Sequence, residues 1–113
     1  MAKIDAAIHK IHFGFCLYLV SRNELPKCFK QADLLVRPGG FLSIVDFDPL
    51  KPHANQYVHS DGLKSYKDKY YQKFCELGNY TLVNKYSFSE DRHHFSMDPY
   101  ARTSLTLLFK EKK

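Results

Sequence analysis

Residues 10–20, KIHFGFCLYLV, form an unbroken aromatic and aliphatic run. This is the pattern of a strand covered on both faces of a parallel sheet, not the alternation of a half-exposed one. The period then changes. Leu25, Cys28, Phe29, Ala32, Leu35 and Val36 recur at helical spacing while Lys27, Lys30, Gln31 and Asp33 face away, which predicts a one-sided helix packed on a sheet. Ser21 or Asn23 can cap it, and Asn23 is favoured because Pro26 then falls in the first turn. Arg37-Pro38-Gly39-Gly40 predicts the stop. Residues 41–47, FLSIVDF, predict a second strand, joined to the first by a right-handed crossover and therefore parallel to it.

Residues 48–62 are polar, rich in proline and histidine, and show neither period, so they predict a long loop beyond the carboxyl end of a parallel strand. Ligands of α/β proteins bind at such ends. A second helix is predicted over 61–77, with Leu63, Tyr66, Tyr70, Phe74 and Leu77 on one side and Gly78 as its stop. Residues 80–88 and 103–109 alternate and predict an antiparallel pair whose long tip is SEDRHHFSMDPYA. The fold class is thus α/β, in one domain over 1–113: two parallel strands with a crossover helix, a second helix and a C-terminal β hairpin.

Composition narrows this picture. A chain of 113 residues with 44% hydrophobic content can bury one modest core. Its longest apolar stretch, 13–20, is eight residues, far short of the about 20 needed to span a bilayer. Lys3, Asp5, His9 and Lys10 interrupt any signal-peptide core, so a soluble cytoplasmic protein is expected. Cys16, Cys28 and Cys75 have no paired short spacing and read as buried reduced thiols. The net charge of +5 does not by itself imply a nucleic-acid partner, because no nucleic-acid motif accompanies it. Lys64, Lys67, Lys69 and Lys73 read as a solvated helix face, and Lys110, Lys112 and Lys113 as a tail.

The stretch LLVRPGGFLSIVDFDP resembles the helix end, Pro-Gly-Gly turn and following strand found after the fourth strand of many class I S-adenosylmethionine-dependent methyltransferases. HFGFCLYLVSRNELPKCFKQAD is similar to that fourth strand and its helix, so the resemblance covers about residues 10–110 and implies the C-terminal half of that Rossmann-like fold. It implies that Phe13, Gly14, Phe15 and Cys16 lie beside the methionine part of S-adenosylmethionine, where glycine permits close backbone approach. Asp46, Phe47 and Asp48 would sit where the acceptor enters, with Asp46 able to orient or deprotonate an acceptor hydroxyl or amine and Asp48 either a substrate contact or the cap of an Asp-Pro turn.

His53, Tyr57 and His59 of the loop and Tyr66 of the following helix could line the acceptor pocket, with His53 or His59 as general base because imidazole titrates near neutral pH. Asp46, Asp48, His53 and His59 fit no standard metal spacing, so no metal is expected.

The resemblance also implies a cofactor grip that this sequence lacks. Its glycines are Gly14, Gly39, Gly40, Gly62 and Gly78, and none forms the glycine-rich turn that lets backbone approach the ligand. The chain therefore reads as part of a methyltransferase for a small-molecule acceptor, incomplete alone. The alternative is a non-catalytic domain serving oligomerisation or ligand binding. Without a neighbour, the strand at 10–20 becomes an apolar edge, which predicts a homo-oligomer or pairing with another chain; folding of residues 1–9 over that edge is the other way to cover it.

Overall fold

A computed structural model describes residues 8–56, 64–77, 79–89 and 94–112. The apolar run divides in two. β1 spans Ile8–Gly14, and the chain then leaves the sheet through Phe15, whose φ is +50°, into a 3-10 helix at Leu17–Leu19. The predicted single strand over 10–20 is therefore too long, because an unbroken apolar run carries no period to mark where a strand ends. Phe15 N–H still donates to Val45 O at 2.7 Å, after which Leu17 N–H turns to the Asp46 carboxylate at 2.9 Å. A side chain on the neighbouring strand thus ends β1.

α1 covers Leu25–Leu35 and buries Leu25, Phe29 and Ala32, the predicted stripe. Its N-cap is Glu24, not Asn23, and Glu24 makes no side-chain capping bond. A backbone turn starts the helix instead, with the N–H groups of Glu24 and Leu25 both donating to Ser21 O at 3.1 and 3.0 Å. Pro26 sits in the first turn as expected.

β2 spans Val36–Phe47 and begins where the helix ends, so the predicted Arg-Pro-Gly-Gly stop lies inside a strand. Ile8 pairs with Val36 but Lys10 pairs with Phe41, leaving Arg37 to Gly40 opposite His9 alone. This excursion needs its glycines. Gly39 has φ +84°, and a Cβ at Gly40 would meet His9 O at 2.8 Å and Arg37 O at 2.9 Å.

The sheet order is β1-β2-β6-β5, where β5 is Tyr80–Ser89 and β6 is Arg102–Lys110. β1 and β2 are parallel, as the crossover predicts, and β6 is antiparallel to both β2 and β5. Of the predicted helix over 61–77, residues 61–63 lie outside the described residues and the rest is only partly helical. β4, Lys64–Lys67, pairs antiparallel with β3, His53–Gln56, and only Tyr70–Cys75 forms a helix, α2. Pairing with 53–56 satisfies the backbone of 64–67, and Ser65 is buried as Tyr66 is not. Tertiary pairing overrides a helical spacing of aromatics here.

Both helices lie on one face of the large sheet. Leu25, Phe29, Ala32, Tyr70 and Phe74 meet Leu42, Ile44 and Leu108 there, with Ile11 and Phe13 alongside. Lys110, expected in a solvated tail, is 9% exposed and ties this layer together. Its ammonium donates to Asp33 O at 2.5 Å and Val36 O at 3.0 Å and lies 3.2 Å from the Asp33 carboxylate, clamping the end of α1 onto β6. The opposite face has no helix over it among the described residues, and Phe41, Tyr86 and Leu105 there are 38%, 54% and 44% exposed.

Phe74 is fully buried, with its ring 4.4 Å from that of Phe29 and 5.7 Å from that of Tyr80, centre to centre. Phe74→Ala should cost about 3–5 kcal/mol in urea denaturation, whereas Leu105→Ala on the bare face should cost well under half of that. Equal losses would contradict a one-sided core.

Candidate functional site

The two parallel strands end side by side at Gly14 and Phe47. One residue before the end of β2, Asp46 is 1% exposed and turns its carboxylate to the backbone leaving β1. Oδ2 accepts from Leu17 N–H at 2.9 Å and Oδ1 from Phe47 N–H at 2.8 Å, and the N–H groups of Tyr18 and Cys16 also point to it. Burial pushes this carboxyl up to about 6, against the opposing pull of those N–H groups. The sequence made Asp46 a candidate base for an acceptor. The structure gives its oxygens to the turn that carries Cys16 and Leu17.

That turn sets an aromatic wall. The ring of Tyr18 stands edge-on to Phe47 at 5.0 Å, Phe15 stands edge-on to Phe47 at 5.7 Å, and the Lys67 ammonium lies over Phe47 at 4.5 Å from its centroid. Next to it Arg22 bridges three elements. It donates to Val20 O at 2.9 Å, Leu17 O at 3.3 Å and Tyr70 Oη at 3.2 Å, pairs with Asp68 at 3.6 Å, and stacks over Tyr66 at 4.3 Å. Burial pushes the Tyr70 hydroxyl up to about 12, so it stays protonated and donates to Tyr66 O. Between these groups lies an open groove of about 250 Å³, lined by Arg22, Pro52, His53, Ala54, Tyr66, Lys67 and Asp68.

The structure brings His53 and Tyr66 together in this groove. His53 is half-buried on β3, hydrogen-bonded through Nδ1 to Lys51 O at 3.1 Å and edge-on to Tyr100 at 5.4 Å. Asp48 is 4% exposed and lies away from the groove lining. Its Oδ2 pairs with Lys85 at 2.5 Å and its Oδ1 lies 3.9 Å from Lys69. Its backbone N–H donates to Arg102 O, joining the strand end to β6 and not capping an Asp-Pro turn. Tyr57 and His59 lie outside the described residues.

Of the four residues expected beside the cofactor, Phe13 turns its ring into the core against Phe74, at 6.0 Å. Gly14 and Cys16 are exposed at the strand end, and Phe15 belongs to the aromatic wall. Cys16 is thus not the buried thiol expected, although partial burial and the nearby Asp46 charge push its thiol up. Among the described residues no group of three His, Cys, Asp or Glu could hold a metal ion, and no helix is long and apolar enough to cross a membrane.

Sequence reasoning missed Arg22 and Lys67. Arg22 stands alone between two periodic segments and leaves no signal. Lys67 was assigned to a solvated helix face, an error that follows from reading 64–67 as helix.

No family model matches this sequence, and no curated protein is found to be related to it. Among solved structures the chain is similar to the 1,6-didemethyltoxoflavin-N1-methyltransferase of Burkholderia thailandensis, solved with 1,6-didemethyltoxoflavin and S-adenosylhomocysteine bound. The TM-score is 0.68 at 13% identity. The chain shares the fold of part of that enzyme. The match covers 94% of this chain but 45% of that one, so this chain spans less than half the length of the enzyme it is similar to.

The raised Asp46 carboxyl makes stability depend on pH. Between the unfolded value of 3.8 and the folded value of about 6 the native state holds the extra proton. This contribution is complete below pH 4 and is lost as pH rises through 6, by at most about 3 kcal/mol. Thermal melts should show wild type losing stability relative to Asp46→Asn between pH 4 and 7. Parallel profiles would contradict the burial of this carboxylate.

Proposed function

We propose that this chain is the acceptor-side half of an S-adenosylmethionine-dependent methyltransferase for a small-molecule acceptor, incomplete by itself. The observation that carries this is the sheet order β1-β2-β6-β5, with one parallel pair and a terminal antiparallel pair, matched over 94% of this chain and less than half of the similar enzyme. That enzyme holds S-adenosylhomocysteine and a small acceptor, which supports the same ligand classes here.

The residues present fit one wall of a cofactor site. The backbone at Gly14 is exposed, and a Cβ there would find only the His12 ring within 4 Å. Gly14 and Cys16 would border the methionine portion, and S-adenosylmethionine would supply the methyl group. Phe15 would act through the aromatic wall, and Phe13 would support β1 from the core. Asp46 is a positioning residue that fixes this turn. His53 is the candidate base: its Nδ1 donates to Lys51 O, which leaves Nε2 as the proton-accepting nitrogen of the neutral ring. Asp48, paired with Lys85 and away from the groove, would act only by fixing the end of β2.

S-adenosylhomocysteine titrated into the labelled protein to about 1 mM, where about 4 kcal/mol of affinity suffices for detection, should shift amide resonances over 14–17. Shifts elsewhere alone, or none, would overturn the assignment of the cofactor side.

The outer edge of β1 has no strand paired to it among the described residues. An open edge of this kind recruits another strand. Where the rest of the sheet is not supplied, two copies should associate through β1 at micromolar concentration, read by sedimentation velocity. A monomer at every concentration would contradict this.

A further inference from the structure

Lys67 is half-buried and faces the groove, yet no carboxylate pairs with it among the described residues; its ammonium rests on the face of Phe47. Its neighbours differ. Arg22 and Lys73 pair with Asp68, and Lys69 and Lys85 with Asp48. A half-desolvated ammonium with only a ring beneath it retains hydrogen-bonding capacity that an anion satisfies well. The aromatic surface within the groove is Tyr66, held flat under the Arg22 guanidinium, while Phe47 supports Lys67 from outside the lining and Asp68 is neutralised by Arg22 and Lys73. Arg22 is already committed to two backbone carbonyls and to Asp68, so it sets the wall and leaves Lys67 as the anion contact.

His53 is the cross-strand partner of Lys67 on the β3–β4 pair. Directly opposed side chains of an antiparallel pair share one face, with Cβ atoms about 5 Å apart. A cation and a proton-accepting imidazole nitrogen are thus held side by side in a groove that Tyr66 also lines. The groove's volume of about 250 Å³ is below the usual range for drug-sized ligands and suits a molecule of one ring.

We propose that this groove binds a planar aromatic hydroxy acid, its carboxylate on Lys67, its ring along Tyr66, and its hydroxyl hydrogen-bonded to Nε2 of His53. The inference rests on reading this end of the sheet as the acceptor side, and it names the acceptor's class. The hydroxyl, held by a nitrogen able to take its proton, is the atom that would be methylated.

The test titrates the full chain with 4-hydroxybenzoate, with its uncharged isostere 4-hydroxybenzamide, and with acetate, each to about 10 mM, followed by NMR. The acid should shift resonances of His53, Tyr66 and Lys67 and bind about tenfold or more tightly than the amide or acetate. Lys67→Met should abolish that preference and leave the thermal melt unchanged, while Lys64→Met, at an exposed position of the same strand, should retain it. Equal affinity for acid and amide, equal affinity for acetate, or an undiminished preference in Lys67→Met would overturn the proposal. Shifts over 14–17 with S-adenosylhomocysteine but none in the groove with the acid would overturn the acceptor class alone. Groove shifts without cofactor shifts would keep the aromatic-acid site and remove methyl transfer from the account.

Discussion

The interaction on which the rest of this structure depends is the buried carboxylate of Asp46 receiving the backbone N–H groups of the turn after β1. Without that acceptor, the apolar run from Ile11 to Val20 has no reason to leave the sheet at Gly14. With it, Leu17 is driven into the core at 0% exposure, Tyr18 stands against Phe47, and the carbonyls of Leu17 and Val20 are presented to Arg22. Arg22 in turn reaches Tyr66, Tyr70 and Asp68. One carboxylate therefore couples the end of β1, the β3–β4 pair and α2. The cost is desolvation of a charge, visible as a carboxyl raised to about 6 despite its N–H partners.

The other constraint is one-sidedness. Both helices cover the same face, where Phe74 and Phe29 fill the space over Leu42, Ile44 and Leu108, and the Lys110–Asp33 clamp closes the layer. Among the described residues the second face has no helix over it and leaves Phe41, Tyr86 and Leu105 exposed, and the outer edge of β1 has no strand paired to it, an arrangement that sheets normally avoid by further pairing or cover. Both features fit the proposal that further chain completes this sheet. The chain spans less than half the length of the enzyme it is similar to.

How much of this was legible in the sequence depends on what kind of signal each element leaves. The stripe of α1 is periodic and was read correctly, as was the parallel pair that its crossover implies. The end of β1 was not legible, since an acceptor 29 residues away decides it. Residues 64–67 read as helix because Tyr66, Tyr70 and Phe74 are spaced by four, yet cross-strand pairing with His53 to Gln56 governs them. That error also concealed Lys67. His53 and Tyr66, named from the sequence by chemical type, share a groove. Asp46 was legible as important for its position, but its role as a backbone acceptor appears only once the turn is in place.

The most direct test of this account is the titration of the Asp46 side-chain carboxyl itself, followed by its carbon-13 resonance in the folded protein. The account predicts a midpoint near pH 6, with the Leu17 amide resonance moving in step. A midpoint near 4, the value of a solvated aspartate, with an unmoved Leu17 amide would contradict the buried latch and the arrangement of the site built upon it.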